Sequence, residues 1–402
     1  VFSSYAAGIH PGATWRTSTD SFPAPHLRRS KVTGVRIALD AYQALQSYGG
    51  VSRYVRELVP VLAGSSPADS FVLFTNRFRQ LSPSWNPRLP NVRCYDLRIP
   101  RRLMQAGWDH LAWPPVEAFI GSLDVFHGTH FVLPAVRRAK RVLTVHDLTY
   151  LRHPEYFANR ALNERGYRKE LPRALARADA VIADSRQTRD DLIELMGYPE
   201  GRIRVIHHGV DERFWVSADS ASLAEMKARY GLSRPYLVFL VGTAEPRKNL
   251  LRTVRAARRA APGVPLVIIG ERAAIRGLLG DDLAGVILPG VLPDEDLPVV
   301  LNGAELALYP SLYEGFGLPA LEAMAAGVPL ITSNRSALPE VVEKAAVLVD
   351  PESEDNIEEA IRELLEDGDR RQQLIKLGRA RARELSWDLA AQRVVEVYRE
   401  LV

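Results

Sequence analysis

The chain has 402 residues, 47% of them hydrophobic and 25% charged, which suits two or three globular domains and excludes fibrous or wholly disordered classes. Its 52 Lys and Arg against 48 Asp and Glu leave a formal net charge of +4, too small to argue for a nucleic-acid partner. No apolar run approaches the roughly 18–20 residues that a bilayer-spanning helix needs, and the single cysteine, Cys94, excludes an internal disulfide or a cysteine-based zinc site and suits the reducing cytoplasm.

Residues 1–33 are rich in Ser, Thr and Pro, carry Asp20 as their only acid and lack periodicity, so a flexible N-terminal extension is expected. Ordered structure is expected from Gly34, where Val35-Arg36-Ile37-Ala38-Leu39-Asp40 predicts a strand, followed by a loop containing Gly49-Gly50 and a helix. Strand-like runs recur at 71–75, 124–127, 142–146, 180–183 and 203–207, separated by longer helical stretches. After a break near 211–230 they resume at 236–241, 266–270, 285–288, 304–309, 328–332 and 346–349. Strands alternating with helices predict parallel α/β sheets. The expected organisation is therefore two Rossmann-like α/β domains, 34–213 and 214–385, facing a cleft, with a final helix over 386–402 that needs a core to dock on. Ligands of such sheets bind at the carboxyl ends of the strands. There is no Walker A sequence, and neither domain has G-x-G-x-x-G after its first strand, which disfavours P-loop and dehydrogenase chemistry.

The most informative segment is Pro310-Ser311-Leu312-Tyr313-Glu314-Gly315-Phe316-Gly317-Leu318-Pro319-Ala320-Leu321-Glu322-Ala323-Met324-Ala325-Ala326-Gly327. Gly315 and Gly317 let the backbone approach a ligand, and Pro319 suits a first helical turn, whose free N–H groups and positive dipole end favour a phosphate. Glu314 and Glu322 are eight positions apart and are expected at different heights along one bound molecule. Embedded in this string, the pair resembles the donor motif of retaining GT-B glycosyltransferases, specifically glycosyltransferase family 4, and the resemblance extends from about Val35 to Leu401. Gly49-Gly50-Val51-Ser52-Arg53-Tyr54 is similar to the family's glycine-rich loop, where backbone amides meet the donor diphosphate. Val241-Gly242-Thr243-Ala244-Glu245-Pro246-Arg247-Lys248-Asn249 is similar to the first donor-domain loop, with Arg247 and Lys248 expected on the diphosphate. Many relatives carry Arg where this chain has Thr243.

All nine histidines lie at or before position 208, so histidine chemistry is expected from the first half. His146, before Asp147 at a strand end, resembles the family's active-site histidine and is expected to contact a sugar hydroxyl. His127-Gly128-Thr129-His130 reads as a cleft loop without metal-ligand spacing; no metal is expected. Ile206-His207-His208-Gly209-Val210-Asp211 resembles the family's Asn-Gly-Val-Asp turn with His208 in place of Asn. Asp184-Ser185 matches another cleft turn, equally consistent with a structural or a functional role.

The resemblance implies that the first domain binds a carbohydrate or lipid-linked acceptor and the second a nucleotide diphosphate sugar, a co-substrate rather than a cofactor. Glu322 would hold the ribose hydroxyls, Glu314 a sugar hydroxyl, and Val291-Leu292 would border the base. Arg247, Lys248 and the amides of Gly242, Thr243, Gly315, Phe316, Gly317 and Leu318 would surround the diphosphate. Metal-independent hexosyl transfer with retention follows, with the leaving phosphate accepting the acceptor's proton. The His-Asp-Leu and Glu-Pro-Arg-Lys-Asn segments are reminiscent of mannosyl- and rhamnosyltransferases of bacterial polysaccharide synthesis, which tilts the donor towards GDP-mannose. A sugar phosphorylase or nucleotide-sugar epimerase of the same architecture is the alternative; a non-catalytic partner subunit is disfavoured by intact His146, Lys248, Glu314 and Glu322. Arg101, Arg102, Trp108, Trp113 and Phe119 read first as core aromatics beside a solvated arginine pair, with peripheral contact on the inner face of a membrane as the other reading.

Overall fold

Short aliphatic runs become strands buried on both faces, as parallel sheets under helices require. A computed structural model describes residues 34–45, 49–76, 85–99, 103–104, 107–108, 111–157, 166–215, 217–232, 235–242, 245–280 and 282–402. The expectation for 1–33 lies outside the described residues. The first sheet holds β1 (Arg36–Asp40), β2 (Ser70–Asn76), β3 (Val92–Leu97), β4 (Val125–Gly128), β5 (Lys140–Val145), β6 (Ala180–Ala183) and β7 (Ile203–Val205), all parallel, in the order β3-β2-β1-β4-β5-β6-β7. The second holds β8 (Leu237–Gly242), β9 (Leu266–Gly270), β10 (Val286–Gly290), β11 (Leu306–Tyr309), β12 (Leu330–Ser333) and β13 (Val347–Val349), again all parallel, in the order β10-β9-β8-β11-β12-β13.

Both orders reverse direction beside their first strand, between β1 and β4 and between β8 and β11, and such switch points open a crevice outside the strands' carboxyl ends. Alternation along β1 and β2 sends Ile37, Leu39, Phe71 and Leu73 into one apolar cluster and Ala38, Val72 and Phe74 into another, so each face has its own core. The run not anticipated is β3. Its Val-Arg-Cys-Tyr-Asp-Leu sequence is half exposed because it pairs with β2 alone at the sheet edge, and edge strands carry polar residues that hide their periodicity. The expected strands 142–146 and 203–207 stop one and two residues earlier, which leaves His146, His207 and His208 in the loops beyond β5 and β7.

The helices that position the site are α1 (Gly50–Ser65), α2 (Arg186–Met196), α3 (Leu250–Ala260), α4 (Leu318–Ala325), α5 (Glu354–Glu366), α6 (Gly368–Glu384) and α7 (Trp387–Leu401). Ser185 caps α2 and Ser386 caps α7, each hydroxyl accepting from the backbone N–H three residues on. The α7 helix finds its core on the first sheet: Tyr398 OH lies 2.6 Å from His127 Nδ1, and Trp387 packs edge-on to Tyr54 of α1. Gly209 permits the crossing, because a Cβ there would stand 2.0 Å from the Trp387 nitrogen. Among the described residues no helix is long and apolar enough to cross a membrane.

Candidate active site

A cavity of about 530 Å³ lies where the strand ends of the two sheets meet. From the first sheet it is lined by Gly49, Gly50 and Arg53 after β1, His146 and Asp147 after β5, Asp184 after β6 and His208 after β7. The second sheet contributes Gly242, Arg247 and Lys248 after β8, Val291 and Leu292 after β10, and 314–319 with Glu322 after β11. The fold thus brings together every residue singled out above for donor binding except Thr243, which lies outside the described residues. Val291 is exposed at the cavity wall and Leu292 is buried.

Two helices begin at this cavity on glycine. Gly49, with φ 122°, precedes α1, and Gly317, with φ 108°, precedes α4; neither offers a side-chain cap, so first-turn N–H groups remain for a ligand. Gly315 is required for another reason: a Cβ there would lie 2.0 Å from the His146 carbonyl oxygen. The two sheets' loops touch at this point, and Thr188 Oγ1 bonds to both the His146 carbonyl at 3.2 Å and the Gly315 carbonyl at 3.3 Å.

Glu314 is buried at the base of the cavity. Its Oε1 accepts from Lys248 Nζ at 2.7 Å and Tyr309 OH at 2.8 Å, its Oε2 from Arg247 Nη1 at 2.6 Å. Burial pushes its pKa up, but Arg247 and Lys248 outweigh that and hold it at about 2. Burial, with Arg247 beside it, lowers the Lys248 ammonium. The two cations sit on the turn Pro246–Lys248, closed by Asn249 at φ 60°, whose Nδ2 donates to the Pro310 and Pro351 carbonyls at 3.0 and 2.6 Å. That clamp ties the β8 loop to the β11 loop, so Arg247 and Lys248 are fixed against Glu314 instead of lying free along α3. Tyr309 and Asn249 went unrecognised in the sequence: Tyr309 joins Glu314 five residues on to Lys248 61 residues back, and Asn249 reaches the Pro310 carbonyl 61 residues away.

His146 is braced on both ring nitrogens. Nε2 donates to the Thr129 carbonyl at 2.8 Å and Nδ1 faces Asp184 Oδ2 at 2.6 Å. A carbonyl only accepts, so Nε2 carries a proton, and a second proton on Nδ1 gives an imidazolium paired with the carboxylate. Burial works against that charge, yet Asp184 and the Thr129 carbonyl raise the His146 pKa, and His146 with His208 draws Asp184 well below the usual carboxylate range despite its burial. His208 Nε2 lies 2.9 Å from the same oxygen without hydrogen-bond alignment. Asp184 thus lines the cavity against His146, and the next residue, Ser185, caps α2. His127 corrects the cleft-loop reading: β4 runs through it to Gly128, its side chain is fully buried, and its nitrogens meet Tyr398 OH and Thr144 Oγ1.

Glu322, on α4, is buried and paired with Arg53 of α1, whose Nη2 also reaches Asp294 Oδ1 at 3.3 Å. Burial raises the Glu322 pKa against the pull of Arg53. Arg213 continues the network to Asp294 Oδ2 at 3.2 Å and Glu57 Oε1 at 2.8 Å, and Glu57 is pushed up to about 8 by burial and by Asp211. Of the basic and aromatic segment, Met104 and Trp108 are buried whereas Leu103, Leu111 and Trp113 are exposed; Arg101 and Arg102 lie outside the described residues.

Comparison with known proteins gives two adjoining family matches: Glycosyltransferase Family 4 over residues 48–214 and Glycosyl transferases group 1 over residues 224–381. The chain is 29% identical over 381 residues to O-antigen chain mannosyltransferase B of Escherichia coli, covering 88% of this chain and 96% of that one. Among solved structures, sucrose-phosphate synthase from Thermosynechococcus elongatus superposes with TM-score 0.73 at 25% identity, over 91% of this chain and 99% of that one. Anabaena HepE in complex with UDP and glucose superposes with TM-score 0.70 at 17% identity, over 91% and 100%, a likeness of fold.

Proposed function

Because the chain belongs to the GT-B glycosyltransferases of family 4 type, we propose that it moves a hexose, with retention and without a metal, from a nucleotide diphosphate sugar to a hydroxyl of a carbohydrate or lipid-linked acceptor. The observation that carries this reading is the cluster of Arg247, Lys248 and Glu314 beside the open N-terminus of α4, facing His146 across one cavity. A leaving diphosphate placed there meets two cations and a helix end, which supply the positive charge that departure of the anion demands. Glu314, held ionised by both cations, is a poor nucleophile and a poor base. It serves better as a sugar-hydroxyl acceptor and as the anchor that aims Arg247 and Lys248. The acceptor's proton then goes to the departing phosphate as the new bond forms on the same face. Glu322 would receive the ribose hydroxyls after giving up Arg53, and His146 would donate to the transferred sugar. Similarity to a mannosyltransferase favours GDP-mannose as donor and surface polysaccharide synthesis as the setting.

The experiment is thermal stabilisation by UDP, GDP, ADP and dTDP and their sugars, since a ligand at 100 times its Kd adds about 2.7 kcal/mol. One nucleotide, GDP, should raise Tm in the native chain and fail to do so in Glu322→Ala; no shift with any of them would refute the donor site. NMR of the product's anomeric proton decides retention, and turnover in EDTA decides metal independence. The exposed Leu103, Leu111 and Trp113 support peripheral docking of a cytoplasmic enzyme on an anionic membrane. Sedimentation with anionic vesicles, reversed by salt, is expected; equal partition with neutral vesicles would sink that part.

A further inference from the structure

The loops after β5, β6 and β7 place His146, Asp184 and His208 so that one ligand atom from each lies within 4.8 Å of the others. Their donor set, two imidazole nitrogens and a carboxylate oxygen, is that of borderline metals, zinc above all. Three independent features suit a cation. Asp184 Oδ1 and His208 Nδ1 are buried without a hydrogen-bond partner among the described residues, in residues 1% and 4% exposed, and His208 Nε2 meets Asp184 Oδ2 at 2.9 Å without hydrogen-bond alignment. The other nitrogen of His146 donates to the Thr129 carbonyl, the outer contact that orients metal-binding histidines. Finally, the His208 ring is held by Phe316, Tyr54 and Trp387 at centroid distances of 4.8, 4.9 and 5.5 Å, so its direction is set before any ligand arrives.

We propose that His146, Asp184 and His208 form a binding site for one divalent cation of the Zn2+ class, with its fourth position open to the cavity. Asp184 Oδ2 now stands 2.6 Å from His146 Nδ1 and 2.9 Å from His208 Nε2. Ligand atoms on tetrahedral zinc stand about 3.3 Å apart at bond lengths near 2.0–2.1 Å, so the His146 ring must withdraw from Asp184 by roughly 0.7 Å and the His208 ring by roughly 0.4 Å, while the most widely separated ligand atoms, within 4.8 Å of one another, must draw together. The cation replaces the proton between His146 and Asp184, and all three residues line the cavity, which leaves room for water or another ligand. Sequence spacing hides the site because its members come from three separate strand ends. If the proposed transfer reaction is right, occupancy removes His146 from the sugar and inhibits; the binding itself does not depend on that reading.

The test is calorimetric titration of the metal-stripped full chain with Zn2+, visible absorption with Co2+, and Mg2+ as a hard-cation control. One equivalent of Zn2+, a four-coordinate Co2+ spectrum and no Mg2+ uptake are expected. His208→Asn, checked for an unchanged melting profile, should weaken Zn2+ by about 100-fold, since even loss of outer contacts costs 10–100-fold; Asp184→Asn serves if that variant does not fold. Absence of saturable Zn2+ uptake, equal affinity in the variants or equal binding of Mg2+ would each overturn the site. None of these outcomes touches the nucleotide shift, so the two readings fail separately.

Discussion

Glu314 is a buried carboxylate whose two oxygens are shared among Lys248, Tyr309 and Arg247. Removing one partner from such a cluster costs about 3–5 kcal/mol, because the remaining charges stay buried without compensation. Glu314→Gln should therefore lower the neutral-pH urea midpoint markedly and abolish turnover. The pH dependence has a definite sign. The folded pKa of about 2 lies below the unfolded value near 4.3, so ionised Glu314 stabilises the protein above about pH 4.3 and that contribution disappears as pH falls towards about 2. The native chain should lose more stability than Glu314→Gln across this window in parallel urea titrations. Equal losses would mean that Glu314 is not the ionised centre of the cluster. At this scale the residue types of the cluster were visible in the sequence, since E-G-F-G and R-K-N are local strings, but not that Arg247 and Lys248 pair with Glu314.

Elements were legible where burial is uniform. The other described strands, the edge strands β7, β10 and β13 included, were visible as aliphatic runs, whereas the edge strand β3, which carries Arg93, Cys94 and Asp96 among its apolar residues, was not. The final helix was recognisable from its apolar positions, but its seat depends on contacts with residues far away in the chain, including His127 with Tyr398 and Gly209 with Trp387. Gly209→Ala sets a methyl against the start of α7. Overpacking of this kind costs about 1–3 kcal/mol, and Tm should fall by several degrees in a calorimetric scan, with α7 more open to amide exchange. An unchanged Tm would show that the α7 entry shifts freely and that the crossing is not a fixed support of the cleft.

For the molecule as a whole, the contact between Arg53 and Glu322 bridges the cleft from α1 on the first sheet to α4 on the second. A ligand that takes the Glu322 oxygen held by Arg53 displaces that arginine, so its binding and opening are coupled through one ion pair. Arg53→Ala should expand the nucleotide-free chain in small-angle scattering and leave the nucleotide-bound chain unchanged. An unaltered radius without nucleotide would assign closure to the Thr188 and Gly315 contacts alone. The sequence by itself determined the two-sheet α/β architecture, the glycine-bearing strings that border the cavity and the family, because strand burial, helix entry and glycine approach are written in neighbouring residues. Only the tertiary structure decided which charges neutralise one another: Arg53 on Glu322, Arg247 and Lys248 on Glu314, and His146 with His208 on Asp184. Those pairings join strand ends tens to hundreds of positions apart, and Coulomb energy depends on distance in space and on burial, neither of which the order of residues along the chain contains.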